Sequence, residues 1–264
     1  MPRFAANITL MFTEHAFLDR FAAAADAGFT AVECLFPYAE SPRAIRDRLD
    51  RHRLELSLFN MPPGDWAAGE RGLAALPDRF AAMALGVETA LGYAEATGTE
   101  RLHLMAGLAD RHDPDALKAY HRSLRHAAGR LAAHGIDLLI EPINRRSMPG
   151  YFLDDVEAAA ALVTELQAEG FSNLKLQFDV FHAQILHGDV TTRLARLMPL
   201  IGHVQVASVP HRSEPGTGEL DDAFVFRELD RLGYPGRVGC EYNPAAGTAA
   251  GLGWFAPWRV PPAG

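Results

Sequence analysis

Residues 137–182, DLLIEPINRRSMPGYFLDDVEAAAALVTELQAEGFSNLKLQFDVFH, decide the fold. The stretch opens on an apolar run, Asp137–Ile143, of the kind a strand covered on both faces requires. A polar turn follows, then Asp154, read as the N-cap of a helix that carries alanine and leucine as far as Gly170. A second apolar run, Leu174–Phe178, begins four residues after that glycine. Strand, capped helix, glycine and strand again make one β/α unit.

The same unit recurs in both directions along the chain. Candidate strands are Phe4–Thr9, Ala31–Phe36, Leu54–Asn60, Arg101–Ala106, Asp137–Ile143, Leu174–Phe178, His203–Ala207 and Arg237–Tyr242, about one per 33 residues of a 264-residue chain. Ser41-Pro42 and Asp113-Pro114 supply further caps, each followed by proline at the first helical position. Gly28, Gly98, Gly135, Gly170 and Gly233 close helical stretches a few residues before a strand. Eight such units predict a single-domain α/β fold, a (β/α)8 TIM barrel, rather than a doubly wound open sheet, which has no need of eight. No proline- or serine-rich linker divides the chain, and residues 255–264, FAPWRVPPAG with its lead-in Trp254, read as a surface strap or interface segment.

Composition bounds the function. Hydrophobic residues make up 48% of the chain, which excludes disorder and a small stapled scaffold. With 25 basic against 33 acidic residues the net charge is −8, so nucleic acid and anionic membranes are repelled and a small-molecule partner is favoured. The two cysteines, Cys34 and Cys240, have no metal-ligand spacing and should lie inert beneath the helices. The N-terminus has no signal-type apolar run, so a cytoplasmic location is expected.

The functional signal is polarity inside apolar runs: Glu33 in AVECLF, Glu141 in LLIEPIN, Lys175, Gln177 and Asp179 in LKLQFD, His203 and Gln205 in HVQVAS, and Glu241 in VGCEYNP. Side chains alternate along a strand, so Lys175, Gln177 and Asp179 share one face, and that face is the barrel lumen. A carboxylate in a dry interior neutralises, pairs or binds a metal. Pairing has Lys175 as the obvious partner. Glu141, Asp179 and Glu241 at strand C-termini, where barrel active sites sit, favour a metal, and with the Gln205 amide they suit Mg²⁺ or Mn²⁺. Glu33, taken alone, reads equally as a structural ion pair. His182 reaches the same rim or lies on the surface at a helix N-terminus, and Arg212 is an anion clamp or a solvated loop charge. The long excursion FNMPPGDWAAGERG after the third strand, with Trp66 and Arg71, has the character of a lid.

Taken together, RFAANITLMF, FNMPPGDWAAGERG, LLIEPIN, LKLQFDVFH, IGHVQVAS, PHRSEPGTGE and GCEY make the chain resemble, over nearly its whole length, the hydroxypyruvate isomerase family of the xylose isomerase-like TIM-barrel superfamily. The resemblance implies catalytic carboxylates at Glu141 and Glu241 and a divalent metal held by Glu141, Asp179, Gln205 and Glu241. His182 and Arg212 match positions that contact substrate oxygens, and Lys175 and Trp66 are expected beside them. Related sugar epimerases often carry histidine where this chain has Gln205. The reaction implied interconverts hydroxypyruvate and tartronate semialdehyde through an enediolate. A 2-oxo-tetronate isomerase and a ketose 3-epimerase use the same inventory. An apurinic-site endonuclease would need clustered zinc-binding histidines and a basic groove. The expected partner is a small anionic hydroxy-keto acid, with neither nucleic acid nor membrane; a homo-oligomer is left open.

Overall fold

All eight anticipated strands form in the computed structural model, which describes residues 1–259. They are β1 (Arg3–Asn7), β2 (Ala31–Cys34), β3 (Glu55–Asn60), β4 (Arg101–His103), β5 (Asp137–Ile140), β6 (Leu174–Asp179), β7 (Ile201–Val206) and β8 (Arg237–Cys240). Each pairs in parallel with the next, and β8 pairs with β1, so the sheet closes into a barrel without an edge. The main helices between them are α1 (Arg20–Asp26), α2 (Pro42–His52), α3 (Phe80–Thr97), α4 (Pro114–Ala132), α5 (Val156–Ala168), α6 (Val180–Leu186), α7 (Val190–Leu197) and α8 (Asp222–Arg231). None is long and apolar enough to cross a membrane.

Local chemistry sets the helix ends. Ser41 Oγ accepts from the Ala44 amide at 3.2 Å and Asp113 accepts from Asp115 at 2.9 Å, each ahead of a proline. The anticipated cap at Asp154 is corrected by one residue. Asp155 caps α5, accepting from the Ala158 amide at 2.9 Å, while Asp154 pairs with Arg111 and Arg145. The two arginines hold Asp154, and Val156, Ala159, Ala160, Val163 and Leu166 form the buried face of the helix that Asp155 caps. All five helix-closing glycines have positive φ.

Cys34 and Cys240 are free and buried, and burial raises both thiols far above their ordinary range. The tail does more than strap the surface as far as it is described. Residues Leu252–Trp258 form a 3-10 turn whose Phe255 stacks on Phe29 at 4.3 Å, with Trp254 edge-on to Phe4 at 5.2 Å. Residues 260–264, the rest of the expected tail, lie outside the described residues.

Candidate active site

The carboxylates anticipated from the sequence converge at the C-terminal end of the barrel. Glu141 follows β5 directly, Asp179 ends β6, and Glu241 follows β8 directly; all three are buried. Asp179 also caps α6 through Oδ1, which accepts from the Phe181 amide at 2.7 Å, so its other oxygen is left to face His182 Nε2 and Arg212 Nη2. Gln205 sits beside Asp179 in the β6–β7 ladder.

Beneath them Glu33 ties the lumen together. Its Oε1 accepts from Asn7 Nδ2 at 3.1 Å and Gln205 Nε2 at 2.7 Å, and its Oε2 faces His203 Nε2 at 2.8 Å. Glu33 is therefore the structural pair, with His203 rather than Lys175 as partner. Gly239 on β8 makes room for it, since a Cβ there would lie 2.2 Å from Glu33 Oε2. Gln205 is doubly oriented, donating to Glu33 and accepting from Gln177 Nε2 at 2.6 Å.

Burial, then the neighbouring charges of Glu241 and Asp179, pushes Glu141 well above the usual carboxylate range. Burial likewise takes Glu241 up to about 8, against the pull of Arg212, and Asp179 up to about 6. Arg212 Nη2 is 3.2 Å from Glu241 Oε2 and 3.9 Å from Asp179 Oδ2. Burial holds His182 neutral, and it holds His103 neutral with a pKa of about 3.

Two buried carboxylate oxygens of the site, Glu141 Oε1 and Asp179 Oδ2, have no hydrogen-bond partner among the described residues. Both lie within reach of His182 Nε2, at 3.9 and 3.6 Å, and the three groups offer atoms within 4.8 Å of one another. Orphaned carboxylate oxygens so close together fit a hard divalent cation. His182 fits a different role. Its Nδ1 accepts from the Asn144 amide at 3.3 Å and faces Asn144 Nδ2 at 2.6 Å, which leaves the proton on Nε2 and makes that atom a donor into the site.

A cavity of about 290 Å3 opens above these groups, lined by Glu141, His182, Arg212, Glu241, Trp66 and Arg71 among others. A second, of about 310 Å3, lies between α4 and α5 away from the barrel-end carboxylates. Lys175 is corrected: it lies near the opposite end of β6, beside Gly202 and Asp137, four residues and about 13 Å of strand from Asp179. The alternation put it on the right face but at the wrong depth. The excursion after β3 is less free than a lid, because a bridge from Gly72 to Ala106 and the Ala75–Ala106 hydrogen bond pin its base. Trp66, at its tip, is 40% exposed and contacts Phe36.

Sequence reasoning missed His103, Asn60 and Asn144. His103 ends β4, donates from Nδ1 to Asn60 Oδ1 at 3.2 Å and keeps Nε2 unpartnered. The signal was available, a histidine in the apolar run RLHL, of the same kind that marked Glu141.

Carboxylates on β5, β6 and β8, with an amide on β7, at one end of an eight-stranded barrel accord with a family-level match over residues 21–258 to the xylose isomerase-like TIM barrel. The chain belongs to that family. It is 53% identical to the 2-oxo-tetronate isomerase of Cupriavidus necator, across 98% of this chain and 99% of that one. It is 40% identical to the hydroxypyruvate isomerase of Escherichia coli, across 98% and 100%. A solved structure from Brucella melitensis, described as an AP endonuclease of family 2, superposes with a TM-score of 0.95 at 47% identity, covering 98% of this chain and all of that one. Among the described residues of the present chain, the converging acidic and histidine ligand group contains a single histidine, unlike the cluster expected for the endonuclease reading.

Proposed function

We propose that this family member interconverts a short 2-oxo-3-hydroxy acid and its 2-hydroxy-3-oxo isomer, the smallest pair being hydroxypyruvate and tartronate semialdehyde. The observation that carries the reading is a pair of buried glutamates, Glu141 and Glu241, at the mouth of one cavity, both with raised proton affinity. Isomerisation needs one base to take the proton from the carbon bearing the hydroxyl and one acid to return a proton to its neighbour, while the hydroxyl proton passes to the former carbonyl oxygen within the enediol. The two glutamates serve as that pair, exchanging roles with the direction of reaction. His182 Nε2–H donates to the oxygen on which negative charge develops in the enediolate.

Glu141, Asp179 and Glu241, with the Gln205 amide oxygen, would hold a divalent ion, Mg²⁺ or Mn²⁺. Bound there, the ion would supply positive charge that lowers the proton affinity of the glutamates and polarises the substrate oxygens. The Cupriavidus and Escherichia relatives are named for acids of four and three carbons that share the reacting pair of carbons, so both belong to the proposed substrate class.

Purified protein assayed on C3 to C6 hydroxy-keto acids and ketoses, with Mg²⁺, Mn²⁺ or chelator, tests the reading. Turnover should be greatest on a C3 or C4 acid and fall with chelation. Faster turnover of an uncharged ketose would replace the reading with an epimerase or ketose isomerase.

A further inference from the structure

Two guanidinium groups line the cavity, and they differ in what already holds them. Arg212 faces Glu241 and Asp179. Arg71 has no carboxylate within 4 Å among the described residues. Its sequence neighbour Glu70 is taken by Arg79 and by the Asp65 amide. Arg71 is nonetheless held in place: Nη1 donates to the carbonyls of Trp66 at 3.1 Å and Glu70 at 2.8 Å, and the guanidinium lies 3.9 Å over the Trp66 ring. Those contacts leave Nε and Nη2, the edge that grips a carboxylate with two parallel hydrogen bonds, without a partner among the described residues.

Charge balance at the site calls for such a group. Glu141, Asp179 and Glu241, when ionised, are offset by a divalent ion and Arg212. An anionic substrate then adds a negative charge in a low-dielectric cavity, where an unpaired charge is costly. Arg71 is the other cation among the cavity-lining residues. We infer that Arg71, stacked on Trp66, is the residue that binds the substrate carboxylate and gives the site its preference for acids over neutral sugars. The inference rests on the isomerase reading, and it assigns to the β3 excursion the specificity that the sequence alone suggested for Arg212.

The test uses Mn²⁺-loaded protein, Arg71→Met and Arg71→Lys, and two inert ligands of similar shape: tartronate, an anion, and its neutral diamide. Wild type should bind tartronate more tightly than the diamide by calorimetry. Arg71→Met should weaken tartronate by roughly 10- to 100-fold and leave the diamide nearly unchanged, with Arg71→Lys in between because it keeps charge without the fork. On the substrate found by the activity panel, KM should rise by a similar factor while kcat changes little. Methylguanidine should restore part of the loss in Arg71→Met. Equal weakening of both ligands would mean that Arg71 only props the loop, and unchanged tartronate binding would overturn the inference outright. If wild type prefers neutral ketoses and binds tartronate no better than the diamide, the isomerase reading falls and takes the inference with it; if wild type isomerises an acid but Arg71→Met keeps its KM, the inference alone falls.

Discussion

Arg212 Nη2 sits 3.2 Å from Glu241 Oε2, so the cation that the sequence offered to a substrate carboxylate is already paired with a carboxylate of the protein. Its charge tunes Glu241, opposing the burial that raises that group to about 8. Arg212→Met removes the opposing charge, and the proton affinity of Glu241 rises further. The pH limb of kcat that reports ionised glutamate is expected to move to higher pH, with kcat at pH 7 reduced by about 10- to 100-fold. A variant with an unmoved pH profile and only a raised KM would show that Arg212 acts on substrate instead.

The two-glutamate mechanism makes a sharper demand. Glu141→Gln and Glu241→Gln should each lower kcat by at least ~10²-fold, the low end for loss of general acid–base catalysis. Neither side chain packs the apolar core, so circular dichroism and melting of the variants should remain those of a folded barrel. Full turnover by either folded variant rejects the mechanism.

The raised carboxyls also set a pH dependence of stability. Folded Glu241 keeps its proton up to about 8, whereas the unfolded chain releases it near 4.5. The folded state therefore binds more protons across that window, and the contribution is complete below 4.5 and lost as pH rises through 8. In chelator, the melting temperature is expected to lose this contribution between pH 5 and pH 8.5, measured as the difference between wild type and Glu241→Gln. Saturating Mn²⁺, which favours the ionised carboxylates, should stabilise the protein more at pH 8 than at pH 6. A metal-induced shift independent of pH contradicts this account.

Glu33 carries a separate, structural prediction. Its carboxylate faces Asn7, His203 and Gln205, all from buried lumen positions. Glu33→Leu removes both acceptor oxygens, which leaves the buried amide donors of Asn7 and Gln205 without their partner, at a cost of about 1–3 kcal/mol. Chemical denaturation reads the loss directly. Gly239→Ala, whose new Cβ meets the same carboxylate at 2.2 Å, should destabilise by about 1–3 kcal/mol through overpacking.

Much of this protein is legible in its sequence because the relevant signals are local. Eight apolar runs, caps at Ser41 and Asp113 that are each followed by proline, and helix-closing glycines at Gly98 and Gly170 each act within a few residues, and together they specify a closed β/α barrel. Glu141, Asp179 and Glu241 stood out for the same reason: a charge inside an apolar strand is a local anomaly whose burial demands a function.

Tertiary structure alone decided partnership. Residue spacing already sets Lys175 and Asp179 about 13 Å apart along β6, but only the closed barrel shows what each meets: Gly202 and Asp137 beside Lys175, His182 and Arg212 beside Asp179. Asp154 and Asp155 are equivalent as caps until Arg111 and Arg145 take the first and leave the second to the Ala158 amide. Arg212 and Arg71 look alike on paper; packing gave one to Glu241 and stacked the other on Trp66 with its binding edge free. Electrostatic roles depend on distances between residues far apart in the chain, and those exist only once the barrel has closed.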